Sequence, residues 1–431
     1  MNKKAVEWLY QQLPELVAKG VIPAESAERI KKYYGPVTDT TGTRTFLVIF
    51  GVIGALLVGL GIILILAHNW AQLTKINRLA ISMCLLVTAQ VIAGGVLWCK
   101  RDSTAWREGA ATLLMLMVGA AMALVGQTYH LVEDTDIFLL TWMLLSLPLM
   151  YLMKSASVAM LYTVGITFWT GSHYGVSKQF IWVLLGAAMP YYWGLLKNNR
   201  YANTTIISFW VLTVCCYISF ATAFSGYLDQ LGFLIFSALF GITYLVGELW
   251  FTSPDQGWRM PFTGVGMTGS IILSFILTFN DVWRHITSGW NPPPLIACLL
   301  AAVLLLMVLG GNGMLVKQNN REARKFALIP CVVGLAYLVQ FYDSSGLGAT
   351  LILNGYMLWL SISIISKGVR EFHLGIVNLG MIMLTVLIVA RFFDIDVSFV
   401  VRGVIFVLIG IGFLVANVVL VRRKAGWQND K

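Results

Sequence analysis

The residues of this chain that are best suited to chemistry fall in one short run, residues 126–136. Its polar side chains are Gln127, Tyr129, His130, Glu133, Asp134 and Asp136. Gln127 follows an apolar stretch rich in Gly and Ala, which lets helices pack closely, so we expect its amide to be buried. A buried amide must be hydrogen-bonded, and it would therefore fix a loop or contact a polar substrate. The acids and His130 could bind a cation or transfer protons; the structural alternative is a solvated loop with a packing glutamine.

A second polar cluster lies near the end of the chain. Arg391 closes a long apolar stretch, and Asp394 and Asp396 follow it. An arginine at such a position either extends to the membrane surface or pairs with a carboxylate, and both acids are close enough in sequence. The cluster could bind a phosphate or carboxylate headgroup, and a structural ion pair is the alternative. His68 closes the first apolar stretch at the same level, as an interfacial anchor or a further substrate contact.

These segments each end a predicted span on the same side of the membrane. We therefore predict that Gln127, Tyr129 and His130 approach Arg391 and Asp394 and form one polar substrate-binding site beneath the outer surface. Burial of Arg391 alone would be costly, so its guanidinium should find a carboxylate, an amide or a ligand headgroup.

Several kinds of chemistry find no support in the sequence. P-loop, GxSxG and HExxH patterns are missing, and the six cysteines form no CxxC pair or Cys/His cluster. We therefore predict no catalytic residue, metal site or cofactor, and leave the question of an enzyme open. No charged residue lies near the middle of a predicted span, which disfavours ion-coupled transport. The deeper polar residues, Asn354 among them, are explained by hydrogen bonds between helices.

The composition indicates that membrane-spanning helices carry these groups. Hydrophobic residues make up 58% of the chain and charged residues 12%, against about 25% charged in soluble domains. Residues 46–67 contain no charge and are long enough to cross the bilayer, with Gly51, Ala55 and Gly59 on one helix face. Thirteen further spans are predicted at about 78–98, 109–128, 136–153, 155–173, 179–196, 202–224, 230–251, 260–279, 293–310, 326–342, 347–366, 372–390 and 400–421. The fold class is therefore all-α, a polytopic transmembrane bundle of about fourteen spans.

The distribution of charge predicts the orientation of this bundle. With the N-terminus inside, 24 of the 30 Lys and Arg residues fall on the cytoplasmic side and six outside. The six outside are Lys75, Arg78, Lys178, Arg284, Arg391 and Arg402. This split predicts that both termini are cytoplasmic. It also accounts for the net charge of +10 without a nucleic-acid partner.

Residues 1–45 are the one candidate for an element outside the membrane, and residues 46–431 form the predicted bundle. Apolar residues recur at helical spacing over residues 5–19 and 24–34, separated by Gly20 and Pro23. Gly20 suits a helix C-terminus and Pro23 the start of the next helix. The pattern predicts an amphipathic helical hairpin that lies on the membrane or binds a protein partner.

The chain also resembles a family of bacterial membrane proteins. The residues that carry the resemblance are Gly20, His68, Asn69, Trp70, Gly126, Gln127, Tyr129, His130, Asp136, Trp142, Pro148 and Ser155. They resemble the multi-pass proteins known as domain of unknown function 2157, over about residues 1–200. The tail, with Arg391, Asp394 and Gly403, resembles a companion family of unknown function. The resemblance implies a bacterial inner-membrane protein and supplies no activity, substrate or catalytic residue.

Two classes of function follow from these patterns. Many helices, short loops and polar groups at one face favour a transporter or flippase-like protein for an amphipathic or lipid-linked envelope substrate. The competing hypothesis is a scaffold or regulator that recruits a partner through its N-terminal hairpin. A membrane-embedded transferase that uses the outer acids is a third reading, and it lacks a long catalytic loop.

Overall fold

The computed structural model describes most of the chain outside the N- and C-terminal segments. The described residues are 9–10, 12–14, 16–17, 19–34, 40–69, 74–130, 134–172, 176–251, 258–288, 292–343, 345–371, 373–394, 400, 403–404, 407 and 410–412. For 32, 34, 40–45, 48, 62–63, 65–69, 176–177, 287–288 and 392–394 the backbone alone is described. Over these ranges the regular structure is entirely helical, which confirms the predicted all-α class.

Sixteen α-helices can be bounded within the described ranges. They are α1 Ala24–Tyr34, α2 Thr40–Asn69, α3 Lys75–Cys99, α4 Thr104–Tyr129, α5 Thr135–Leu152, α6 Ala156–Ser172, α7 Ile181–Asn199, α8 Asn203–Ala223, α9 Gly232–Trp250, α10 Pro261–Ile276, α11 Asn280–Ser288, α12 Leu295–Lys317, α13 Arg321–Ala327, α14 Ile329–Tyr342, α15 Leu347–Arg370 and α16 Leu374–Asp394. Two 3₁₀ turns, Val176–Phe180 and Ser225–Tyr227, precede α7 and α9.

Ten of the described segments are long and apolar enough to cross a membrane, or eleven if one bent pair counts as a single span. The first predicted span, 46–67, lies within α2, and the predicted span 155–173 corresponds to the 17-residue helix α6. The predicted span 400–421 lies largely outside the described residues. The chain is therefore a multi-pass helical protein, and the count of fourteen stays a prediction.

The N-terminal segment shows part of the predicted pairing. Residues 9–10, 12–14 and 16–17 are helical, and Gly20 has a positive φ of 67° at the turn that follows. The Tyr10 hydroxyl donates to the backbone oxygen of Lys31 on α1, 3.1 Å away. Whether residues 1–45 act as a domain apart from the bundle stays a prediction.

The chain forms two compact units, Met1–Tyr162 and Thr163–Lys431. In the first unit α2 packs on α4 through the predicted face of small residues. A Cβ added to Gly109 would lie 3.4 Å from the backbone oxygen of Gly51, and one added to Gly59 would lie 3.2 Å from Leu116. Leucine-sized residues at these positions would separate the helices, because the backbones themselves are in contact.

The second unit has a large apolar core to which α9, α10, α12, α14, α15 and α16 all contribute. Helices α15 and α16 form a close antiparallel hairpin within it. A Cβ on Gly380 would lie 2.9 Å from the backbone nitrogen of Ile365, so only glycine permits this approach. The hairpin places the N-terminal half of α15 beside the last turns of α16, where Arg391 lies.

The predicted span at about 260–279 corresponds to α10, and a sharp bend follows it. Helix α10 ends at Ile276, and the chain turns by 85° into α11. The amides of Thr278 and Phe279 bond three residues back, to the oxygens of Phe275 and Ile276, which tightens the last turn. Two buried residues of α11, Trp283 and Ile286, hold the short helix against the core after the turn.

Candidate functional site

The break between α10 and α11 frees backbone oxygens, and side chains from two helices then donate hydrogen bonds to them. The backbone oxygen of Thr278 accepts a hydrogen bond of 3.0 Å from Nδ2 of Asn354 on α15. The backbone oxygen of Leu277 accepts one of 2.8 Å from Nε1 of Trp283 on α11. Irregular backbone at membrane depth persists only where such partners are supplied. The prediction that Asn354 bonds between helices is confirmed.

Arg391 on α16 is a charged residue that contacts this break. Its Nη2 donates to Oγ1 of Thr278 over 3.3 Å, and the Thr278 side chain is fully buried. The guanidinium carbon lies 5.0 Å from the centre of the Phe279 ring, within range of a cation–π interaction. Arg391 is half-buried, and its guanidinium faces Thr278 and Phe279. The Asp394 side chain and all of Asp396 lie outside the described residues, so their pairing with Arg391 stays a prediction.

The structure places the side chain of Gln127, in the run at residues 126–136, differently from the prediction. Gln127 is exposed on the first unit, so the prediction that its amide is buried was wrong. The buried face of α4 passes instead through Leu124 and Thr128, and Gln127 lies about a quarter-turn away from it. Thr128 is 1% exposed, and its hydroxyl bonds the backbone oxygen of Leu124. The small residues of α4 do pack closely, as expected, but Gln127 lies on the exposed side of the helix.

The neighbours of Gln127 end the helix. Tyr129 is 40% exposed, and His130 is exposed in a left-handed conformation with φ of 52°. The backbone N–H of His130 donates to the oxygen of Gly126 and closes the last turn of α4. Asp134 accepts a bond from the amide of Asp136 at the start of α5. These residues therefore have local structural roles, and their contact with a substrate stays a prediction.

Two other predicted site residues lie at helix ends. His68 is in the last turn of α2 and Asp394 is the last residue of α16, and neither side chain is among those described. Gln127, Tyr129 and His130 belong to the first unit, and Arg391 and Asp394 to the second. A single site made from both groups stays a prediction.

The first unit contains a buried carboxylate that was not predicted from the sequence. Glu108 on α4 is 3% exposed, and its two oxygens accept four hydrogen bonds at the start of α6. The hydroxyls of Ser155 and Ser157 donate over 2.5 Å each, and the amides of Ala156 and Ser157 over 2.8 and 2.9 Å. The carboxylate thus caps the N-terminus of α6, where helix amides lack partners and negative charge is favoured.

A further hydroxyl completes this network. Oγ1 of Thr112, one turn along α4 from Glu108, lies 2.9 Å from Oγ of Ser157. Ser155 lies just before α6 and Ser157 lies in its first turn, and serines at such positions indicate the start of a helix. The bond to Glu108 could not be predicted from the local sequence, because Glu108 lies 47 residues before Ser155. We refer to Glu108, Thr112, Ser155, Ala156 and Ser157 as the Glu108 network.

The second unit also carries an apolar groove of about 670 Å³ along α6 and α8. The wall includes Phe168, Trp210 and Ile218, with Thr167 and Ser172 as its polar members. Its size and lining suit a hydrocarbon chain.

Comparison with known proteins gives one match. No curated protein and no solved structure is detectably similar to the chain. Residues 14–159 match the family described as "Predicted membrane protein (DUF2157)", which confirms the resemblance over that stretch. The match includes the whole Glu108 network and ends before the helices that form the break, and the likeness of the tail to a companion family stays a prediction. Over residues 14–159 the chain is thus similar to an uncharacterised family of membrane proteins.

Proposed function

We propose that the protein is a transporter or flippase-like protein for an amphipathic or lipid-linked anion of the bacterial inner membrane. The proposal includes the predicted topology, with both termini in the cytoplasm. The observation that carries it is the position of Arg391, a permanent cation held against a broken helix inside a membrane protein. Charged residues that face the interior of a membrane-spanning bundle are costly, and where they occur they commonly contact a substrate or ion.

The broken helix supports the same proposal. Discontinuous helices supply exposed backbone groups at substrate sites of many transporters, and α10 and α11 form such an interruption. Arg391 approaches it from α16 and Asn354 from α15, so helices distant in sequence converge on one point. A guanidinium there would bind a phosphate or carboxylate headgroup through charge-assisted hydrogen bonds. The apolar groove on the same unit would suit the hydrocarbon part of such a substrate.

The binding part of this proposal can be tested with lipids of defined charge. The purified protein would be titrated in detergent with phosphatidylglycerol, which is anionic, and phosphatidylcholine, which is neutral overall. We expect phosphatidylglycerol to raise the Tm more, and Arg391→Gln to weaken its binding by about tenfold or more, as a lost charge-assisted bond predicts. Arg284→Gln is the matched control, because Arg284 is exposed on α11. Equal shifts with both lipids, or equal losses in both variants, would contradict the proposal.

Movement across the membrane needs a second measurement. Proteoliposomes with fluorescent phosphatidylglycerol would be treated with an impermeant quencher, and transbilayer movement followed as the loss of protected fluorescence. We expect the wild type to accelerate this loss and Arg391→Gln to abolish the acceleration. Binding without any acceleration would refute transport and leave a lipid-binding protein.

The second candidate, a scaffold or regulator, is favoured by the N-terminal segment. Val21 and Tyr33 there are 64% and 83% exposed, while Leu13 and Ala27 are buried. Exposed apolar residues on a short charged hairpin suit recruitment of a protein partner. Removal of residues 1–34 should leave lipid-induced stabilisation and lipid movement unchanged if the protein is a transporter. Unchanged stability with loss of a co-purifying protein would favour the scaffold.

A further inference from the structure

Gln340 is a buried amide whose hydrogen bonds are not supplied by the described part of the chain. Its side chain is 4% exposed near the outer end of α14. Among the residues that the structure describes, neither Nε2 nor Oε1 has a hydrogen-bond partner. An amide can donate two bonds and accept two, and burying it without any is strongly unfavourable. A polar group from outside the described chain is therefore expected at this position.

The position of Gln340 connects it with the core of the second unit. It lies one turn from Ala336 and two from Val333, both fully buried core residues on the same face of α14. Val339 packs against Gly348, since a Cβ there would lie 2.6 Å from Cγ1 of Val339. Gln340 is thus level with the first turn of α15.

A second orphaned group lies on that turn of α15. Thr350 is 7% exposed, and its Oγ1 also has no partner within the described part of the chain. Thr350 is one turn before Asn354, whose amide bonds both the Thr350 backbone oxygen and the oxygen of Thr278 at the break. Thr350 is therefore linked through Asn354 to Thr278, to which Arg391 is hydrogen-bonded, and Gln340 is level with the turn of α15 that carries Thr350.

We propose that Gln340 and Thr350 bind hydroxyl groups of the headgroup whose anionic part is held by Arg391. The inference rests on the proposed function and narrows its substrate class to anionic amphiphiles with a hydroxylated headgroup. A phosphate oxygen accepts hydrogen bonds only, so it would satisfy Nε2 of Gln340 but repel Oε1. A hydroxyl both donates and accepts, and so do the glutamine amide and the threonine hydroxyl. Recognition of a hydroxyl therefore accounts for the presence of both a hydrogen-bond donor and an acceptor on these side chains.

The experiment compares two lipids of equal charge. Phosphatidylglycerol and phosphatidylethanol both carry one anionic phosphodiester, and only the first has hydroxyls on its headgroup. We expect the wild type to bind phosphatidylglycerol about fivefold more tightly, as one or two net hydrogen bonds predict. Gln340→Leu should abolish this preference while the preference for both anionic lipids over phosphatidylcholine remains. Thr350→Val, which keeps the side-chain shape, should reduce the same preference.

Controls separate this inference from the function on which it rests. Gln318→Leu is the matched variant, because Gln318 is an exposed glutamine just after the C-terminus of α12, and it should keep the full preference. Without lipid, Gln340→Leu should leave the Tm unchanged or raise it, since an orphaned amide is replaced by an apolar group. A fall in that Tm would mean that the chain itself supplies the partner of Gln340, and would overturn the inference.

The two proposals fail in different ways. If the wild type prefers both anionic lipids over phosphatidylcholine but does not distinguish them, the role of Gln340 is refuted and the role of Arg391 stands. If it does not prefer anionic lipids, both are refuted. Glycerol 3-phosphate, a soluble headgroup without acyl chains, should not shift the Tm at the concentrations at which the lipids do. A Tm shift equal to that of phosphatidylglycerol would contradict an amphipathic ligand.

Discussion

Glu108 in the first unit and Gln340 in the second are both polar side chains enclosed by helices, but their surroundings differ. Four donors surround the carboxylate of Glu108, and every one of them belongs to the start of α6. The amide of Gln340 has no such partner among the described residues. A satisfied buried group fixes two helices to each other, whereas an unsatisfied one is poised to bind something else. The comparison separates a structural centre from a candidate site, although both are buried to a similar degree.

The largest effect should follow from loss of Glu108. Glu108→Ala would leave two buried amides and two hydroxyls without their acceptor, and each such loss costs about 1–3 kcal/mol. We expect unfolding of the first unit to become easier by at least about 3 kcal/mol, measured by thermal or denaturant unfolding in detergent. Glu25→Ala is the control and should change stability by less than about 1 kcal/mol, because Glu25 pairs with Arg29 on the surface. A small effect of Glu108→Ala would remove the contrast between the two units.

A smaller loss is expected at the break. Asn354→Leu removes the donor to the backbone oxygen of Thr278, which has no helical partner there, at a cost of about 1–3 kcal/mol. The same variant should weaken phosphatidylglycerol binding, because Thr278 would no longer be held beside Arg391. Asn378→Leu, at an exposed position on α16, should change neither the Tm nor the binding. Loss of stability without loss of binding would show that the break is structural only.

The smallest effect concerns Asp343, between α14 and α15. Hydrogen bonds from the Ser345 hydroxyl and from the amides of Ser345 and Gly348 lower the pKa of the Asp343 carboxyl. A lowered pKa in the folded state means that the stabilisation is present above the unfolded pKa and is lost as the pH falls through the folded value. The wild type should therefore melt slightly above Asp343→Asn at neutral pH, and this difference should begin to shrink below about pH 4 and vanish once the pH is below the folded pKa. A difference in Tm that persists in acid would show that the side-chain shape of Asp343, and not its charge, stabilises the turn.

Features that depend on composition along one helix could be predicted from the sequence. The contacts of Gly51 and Gly59 with α4 were predictable because small residues at a spacing of four form one face wherever the helix packs. The phase of α4 was harder, because Gly and Ala surround nearly the whole helix before Gln127 and do not mark one side. The break after Ile276 carries neither Gly nor Pro, so no local signal of a turn precedes it. The Glu108 network depends on two helices meeting, which no local pattern records.

The composition of the Glu108 network has a consequence for biosynthesis. Glu108 leaves the ribosome 47 residues before Ser155, so α4 and α5 are made while the carboxylate still lacks its donors. At a synthesis rate of about 5–20 residues per second, this interval lasts about 2–10 seconds. The matched segment ends at residue 159, two residues after the last donor of the network. The shortest nascent chain in which the Glu108 carboxylate can accept all four hydrogen bonds therefore ends almost where the segment similar to the family ends.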